Sequence, residues 1–200
     1  MDARQQLRRQ MRSARKALST EQQQAAAASL LKHLRKLECF NSAEHIALYL
    51  ASDGEIDPLS VIDYCWEKGK QVYLPVLDPN LHNQLLFVHY DQNTPMCRNK
   101  YDISEPASPY QKSIPATDLD LVLLPLVAFD DKGNRMGMGG GYYDRSFAFM
   151  MDDAAGSADK KVPVLIGLAH QLQQVDELPV ESWDIPLSGI ASEAGVVSRK

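Results

Sequence analysis

Apolar residues recur along this chain first at helical spacing and then at strand spacing. Leu7, Met11, Ala14 and Leu18 fall on one side of a helix expected over 2–18. Leu30, Leu31, Leu34 and Leu37 supply the core face of a second helix, which Ser19 or Thr20 caps, with Gln22 or Gln23 completing a capping box. HIALYL at 45–50 reads as a strand. Asp57-Pro58 opens another helix, proline being tolerated at the first helical position, and Gly69 closes it. Leu59, Ile62 and Trp66 share its apolar side. Strands follow at 71–76 and 85–89, and the Pro-, Ser- and Asn-rich stretch 90–118 reads as a long surface connection. LVLL at 121–124 is apolar without interruption, the mark of a strand covered on both faces. A glycine-rich loop at 129–141 leads into a helix at 142–151, a strand follows at 164–168, and the remainder reads as turns and short strands.

This alternation predicts an α/β fold: a single domain over 1–200, with three α/β/α layers around a mainly parallel sheet. In such folds ligands gather outside the carboxyl ends of the strands. The most distinctive segments of the chain all follow strands.

Composition narrows the class. The chain has 200 residues with 44% hydrophobic and 24% charged, an ordinary globular balance. No apolar run approaches the roughly 20 residues of a membrane-spanning helix, and the basic N-terminus has no apolar core of a secretory signal. A cytoplasmic protein with no membrane partner is the expectation. The cysteines Cys39, Cys65 and Cys97 form no CxxC and are expected as reduced, buried thiols; the five histidines show no metal-binding spacing.

The charge is unevenly placed. Residues 1–36 hold nine Lys/Arg against two acids, whereas the rest holds twelve against twenty-four. A local basic element on an acidic body points to a small anionic ligand and away from nucleic acid, which is gripped by a broad basic face. Arg4, Arg8, Arg12 and Arg15 form a stripe about a quarter-turn from the apolar seam of the first helix. Spaced one turn apart, Arg4 and Arg8 can clamp phosphates from one side. Arg12 and Arg15 are expected on a solvated face.

The densest signal is DDKGNRMGMGGGYYDR at 130–145, where Gly133, Gly137, Gly139, Gly140 and Gly141 follow an apolar strand and precede a helix. Glycines admit positive φ and let backbone N–H groups approach a ligand, and a helix start adds further N–H groups. Together they predict a phosphate cradle. The run matches neither GxxxxGK[ST] nor GxGxxG.

The segment closely resembles the nucleotide-binding signature of the 5-formyltetrahydrofolate cyclo-ligase family. Gly141-Tyr142-Tyr143-Asp144 matches its ending, and Pro125, Phe129, Asp130, Gly133 and Arg135 match the pattern before it. Arg4 and Arg8 take the places of a Lys-x-x-x-Arg pair, with Arg4 replacing the usual lysine; Asp53-Gly54-Glu55-Ile56 and the WDIP turn at 183–186 are similar to two further family turns. The resemblance implies a Rossmann-like fold akin to sugar-phosphate isomerases and CoA transferases. It implies an ATP-dependent conversion of 5-formyltetrahydrofolate to 5,10-methenyltetrahydrofolate with release of ADP and phosphate. ATP is the co-substrate and Mg2+ the metal. It further implies ATP contacts at Arg4, Arg8, Asn134, Arg135, Met136, Gly137, Met138, Gly139, Gly140, Gly141 and Tyr142, with Arg135 and Tyr142 catalytic. Leu50, Glu55 and Tyr142 face the folate, Glu55 accepting hydrogen bonds from the pterin edge, and Asp144 and Asp184 hold the metal. Many relatives have a basic residue within the glycine run; Met138 and Gly140 stand there instead. Tyr143 is assigned to packing, and His170 to packing or surface. A monomer is expected. Two other classes share parts of the pattern: another phosphate-ligand enzyme of this fold, and a nucleic-acid module using the basic first helix.

Overall fold

In the computed structural model the described residues are 2–99, 102–107, 112–151 and 162–199. Helix α1 is Ala3–Lys16, capped by the Asp2 carboxylate on the Arg4 N–H. Helix α2 (Thr20–Leu34) carries a capping box made by Ser19 and Gln22, one of the two pairs expected. A short α3 (Glu38–Ser42) leads to β1 (His45–Ala47), α4 (Leu59–Glu67), β2 (Gln71–Leu77) and β3 (Leu85–His89). Strands β4 (Met96–Arg98), β5 (Ser104–Pro106) and β6 (Ser113–Ile114) fall inside the stretch expected as a bare connection. After β7 (Leu121–Pro125) come β8 (Ala128–Phe129), β9 (Arg135–Met136) and α5 (Tyr142–Ser146). The chain ends through β10 (Val164–Leu168), β11 (Gly189–Ser192) and β12 (Gly195–Ser198).

The central sheet runs β12-β11-β10-β7-β1-β2-β3-β6. Its interior pairs, from β11 through β10, β7 and β1 to β2, are all parallel, and antiparallel strands close both edges. The uninterrupted apolar strand is central for the reason its composition implies. Leu121 and Leu123 point to one face, with Ile46, Leu48 and Ile166, under α2, α3 and α4. Val122 and Leu124 point to the other, with Ala47, Leu165 and Phe147. Strand β1 stops at Ala47, short of the expected 50; the Leu48 N–H still donates to the Tyr73 carbonyl of β2, and the chain leaves the ladder after it.

Three expected details change. The second face is covered by α5, a 3-10 turn at Ala148–Met151 and the Ile185–Leu187 turn, because the helix expected over 142–151 breaks at Phe147. Residues 152–161 lie outside the described set. In α4 the buried residues are Val61, Ile62 and Cys65, while Leu59 is exposed. Cys65 is buried as expected and its thiol is pushed up to about 12 by burial; Cys97 is exposed instead. Among the described residues no helix is long and apolar enough to cross a membrane.

Helix α1 lies over the β8–β9 hairpin: Met11 and Leu7 pack on Val127, Ala128, Met136 and Leu178. Its buried side differs from the seam read from spacing, since Ala14 is exposed and Arg15 is 1% exposed.

Candidate active site

Strands β1 and β7 are parallel neighbours, so the segments leaving their carboxyl ends emerge side by side. One is the Asp53–Glu55 turn; the other is the glycine run. Helix α1 spans both.

The glycine run begins on a rigid element where a loop was expected. Asp130, wholly buried, accepts the N–H groups of Lys132, Asn134 and Leu178 and the Asn134 side-chain amide. This closes the turn between β8 and β9 and leaves Asn134 occupied with the turn itself. Arg135 therefore projects from a strand. Its Nη2 donates to Asp144 Oδ1 at 2.6 Å, with the two side chains 7% and 18% exposed. Asp144 Oδ1 also accepts the Ile185 N–H. Met136 is buried beneath α1 with its carbonyl accepting the Val127 N–H, so it anchors the run.

Beyond it, Arg8 Nε donates to the Gly137 carbonyl at 2.9 Å. Gly139 has φ +97°, and a Cβ there would stand 3.6 Å from the Arg8 guanidinium. The ring of Tyr142 folds back over Gly140, where a Cβ would fall 2.6 Å from it. The Gly140 carbonyl accepts from Arg145 and Asn83. Met138 is exposed. The α5 helix is too short to add much of a dipole; what the run offers an anion is its backbone together with Arg8 and Arg135.

Arg4 pairs with Glu181 at 3.2 Å and approaches Asp184 at 3.9 Å. Asp184 Oδ2 accepts the Glu181 N–H. The Ile185 N–H bond to Asp144 sets the residue after Asp184 beside that carboxylate. Among the described residues no group of three or more His, Cys, Asp or Glu is placed to hold a metal ion. The buried Nε–H groups of Arg4 and Arg135 have no hydrogen-bond partner. An unmet buried donor costs about 1–3 kcal/mol, a cost that an anion binding there would relieve. Burial and the neighbouring Arg4 together lower the Arg8 pKa, burial more strongly.

On the β1 side Leu50 is half-buried against the core. Glu55 Oε2 accepts the Ser52 N–H at 3.0 Å, and the Glu55 pKa is raised, chiefly by burial. Tyr143, assigned to packing, lies against the second core face. Its hydroxyl pKa is raised by burial first and by Glu55 second.

Arg12 and Arg15 are the clearest correction to the sequence reading. Neither sits on a free basic face. Arg12 forms a two-point pair with Asp53 at 2.6 and 3.0 Å. Arg15 donates to the Asp53 carbonyl, the Asp53 carboxylate and the Leu126 carbonyl. A guanidinium can be fully buried when acceptors surround its five N–H groups. Helical spacing carried no signal for this; the neighbouring Asp53, in a turn next to a matched family residue, was the available hint. His170 is wholly buried, in keeping with packing.

The fold is an α/β class in which ligands gather outside the carboxyl ends of parallel strands, and the Asp53–Glu55 turn, the glycine run and the α1 arginines meet there. Comparison makes the class specific. The model of the 5-formyltetrahydrofolate cyclo-ligase family matches residues 1–193. The 5-formyltetrahydrofolate cyclo-ligase of Haemophilus influenzae is 43% identical over 187 residues, covering 94% of this chain and 96% of that protein. The Escherichia coli protein of the same name is 38% identical over 186 residues, covering 93% and 98%. The NMR structure of Aquifex aeolicus 5,10-methenyltetrahydrofolate synthetase is similar with a TM-score of 0.81 at 25% identity, covering 100% of this chain and 94% of that one. The Mycoplasma pneumoniae synthetase shares the fold, with a TM-score of 0.70 at 23% identity over 96% and 99% of the two chains. The chain belongs to the 5-formyltetrahydrofolate cyclo-ligase family.

Proposed function

We propose that this protein converts 5-formyltetrahydrofolate to 5,10-methenyltetrahydrofolate, with ATP going to ADP and phosphate. The observation that carries the residue assignments is the adjacency of the two turns: a glycine run with unmet guanidinium donors lies one strand from a half-buried acid.

A formamide carbonyl is a poor electrophile and its oxygen a poor leaving group. Transfer of the γ-phosphoryl group to the formyl oxygen cures both faults. N10 then attacks the activated carbon and loses its proton, the C–O bond breaks, and phosphate departs. Such a reaction asks the protein mainly for placement and charge neutralisation. Arg4, Arg8 and Arg135 supply positive charge to the phosphates, and backbone from Asn134 to Tyr142 wraps them, with Met136 acting by anchoring the run. Arg135 and Tyr142 stand nearest the transferred group. Glu55 accepts from the pterin edge, with Leu50 and Tyr142 beside the ring. Asp144 and Asp184 suit Mg2+, which takes one or two carboxylates and completes its shell with water and phosphate oxygens. When bound, the ion neutralises charge on those oxygens. The donor set fits, since a site of two carboxylates is completed by the nucleotide itself.

The same reading takes 1–200 as one domain, monomeric and cytoplasmic, acting on these two small molecules without nucleic acid or membrane. The acidic body outside 1–36 and the engagement of Arg4, Arg8, Arg12 and Arg15 within the chain support it against a nucleic-acid module. The test is direct: protein, MgATP and 5-formyltetrahydrofolate are mixed and the near-UV absorbance of the methenyl product is followed. A rise that needs all three is expected. No rise and no ADP would end the proposal.

A further inference from the structure

Four charged groups converge where α1 meets the turn after β1. Asp53 accepts from Arg12 at 2.6 and 3.0 Å and from Arg15 at 2.9 Å, and Lys16 also pairs with it. Arg15 is 1% exposed and Asp53 17%, so Arg15 at least is well shielded from solvent. The turn is shaped for this contact. Asp53 and Gly54 are both left-handed, at φ +53° and +75°, a conformation that Asp, Asn and Gly tolerate and other residues resist. A Cβ on Gly54 would lie 3.1 Å from the Arg15 carbonyl, so the turn presses directly on the helix.

Arg15 stands between two carboxylates. The same Nη2 that bonds Asp53 at 2.9 Å lies 3.6 Å from Glu55 Oε1. Glu55 Oε2 is tied to Ser52 through its N–H and hydroxyl. Oε1 is therefore the oxygen left to meet a substrate, and it faces a buried cation that already has a partner. Charge-assisted bonds to a carboxylate are the strongest that a guanidinium makes. If Asp53 lost its charge, Glu55 would be the carboxylate already within reach of Arg15.

We infer that Asp53 is a positioning residue for the folate half-site: it takes up the charge of Arg15, Arg12 and Lys16, so that Glu55 keeps Oε1 for the substrate. The inference rests on the reading of Glu55 as the pterin acceptor. Asp53 touches no substrate and acts through Glu55.

The test uses Asp53→Asn, which keeps side-chain shape and tolerance of the left-handed region while removing the charge, together with Glu55→Gln and the double variant. Binding of 5-formyltetrahydrofolate to the full chain without nucleotide is measured by calorimetry, and the KM for ATP in the assay. Asp53→Asn should weaken folate binding about tenfold or more, the scale of one charged hydrogen bond, while the KM for ATP stays within about twofold. The double variant should bind no more weakly than Glu55→Gln alone, because the two act through one oxygen. Wild-type folate affinity in Asp53→Asn, an equal loss of ATP and folate, or full additivity with Glu55→Gln would overturn the inference. Wild-type affinity in Glu55→Gln would instead overturn the reading of Glu55 itself, and this inference with it. Should circular dichroism show Asp53→Asn to be unfolded, the double variant Asp53→Asn/Arg15→Gln carries the test. With the competing cation removed as well, Glu55 keeps Oε1 and folate affinity within about twofold of wild type is expected; a loss of about tenfold there would show that Asp53 does not act through Arg15 and would overturn the inference.

Discussion

Arg8 Nε donates to the Gly137 carbonyl at 2.9 Å, joining the opening helix to the glycine run across 129 residues of sequence. The contact holds the run in register and leaves the rest of the guanidinium beside Gly139. Arg8→Ala removes both the tether and a charge. A charge-assisted bond is worth about 1.5–3 kcal/mol, so the KM for ATP should rise by about tenfold or more, with a smaller change for folate. Steady-state kinetics with each substrate varied in turn checks this, and an unchanged KM for ATP would take α1 out of the nucleotide site.

Asp144 holds Arg135 Nη2 at 2.6 Å and accepts the Ile185 N–H. Asp144→Asn keeps the shape but loses the charge that both Arg135 and a metal would use. The Mg2+ concentration at half-maximal nucleotide binding should rise several-fold. Calorimetric titration of ATP at a series of Mg2+ concentrations reads the shift, and an unmoved midpoint would rule out ligation at this carboxylate.

Asp130 is wholly buried and accepts four N–H groups, from Lys132, Leu178 and twice from Asn134. Asp130→Ala would strand buried donors on both sides of the β8–β9 turn and loosen Arg135. A loss of roughly 3 kcal/mol or more is expected, read by urea unfolding, with kcat falling because Arg135 is no longer fixed. Stability close to wild type would show that water can replace the carboxylate.

His170 is wholly buried and its pKa is lowered, chiefly by burial, with Arg15 adding to the effect and Glu193 and the Gly54 carbonyl opposing it. The imidazole is therefore harder to protonate in the folded protein than in the unfolded chain, where histidine titrates near pH 6.5. Its contribution is complete above about pH 6.5 and is lost as the pH falls below it, by up to about 1.4 kcal/mol per pH unit. Unfolding free energies between pH 7.5 and 5 should show this slope, and His170→Phe should flatten it. An identical slope in the variant would assign the loss to other groups.

The one-dimensional pattern determined a good deal of this molecule. The unbroken apolar run at 121–124 placed β7 at the centre, because a strand covered on both faces has no polar side. The capping box at Ser19 was legible because its bonds span three residues. The glycine run and Tyr-Tyr-Asp ending were enough to identify the family. Tertiary structure alone decided which side of α1 is buried. The periodicity of its apolar residues put Ala14 inside and Arg15 outside, whereas Arg15 is buried through acceptors 38 and 111 residues away. It also decided that Arg135 projects from a strand toward Asp144, and that Asp53 and Glu55 share one buried cation. Residue spacing records the sidedness of a local element. Whether a charge can be buried depends on which distant carbonyls and carboxylates the fold brings to it.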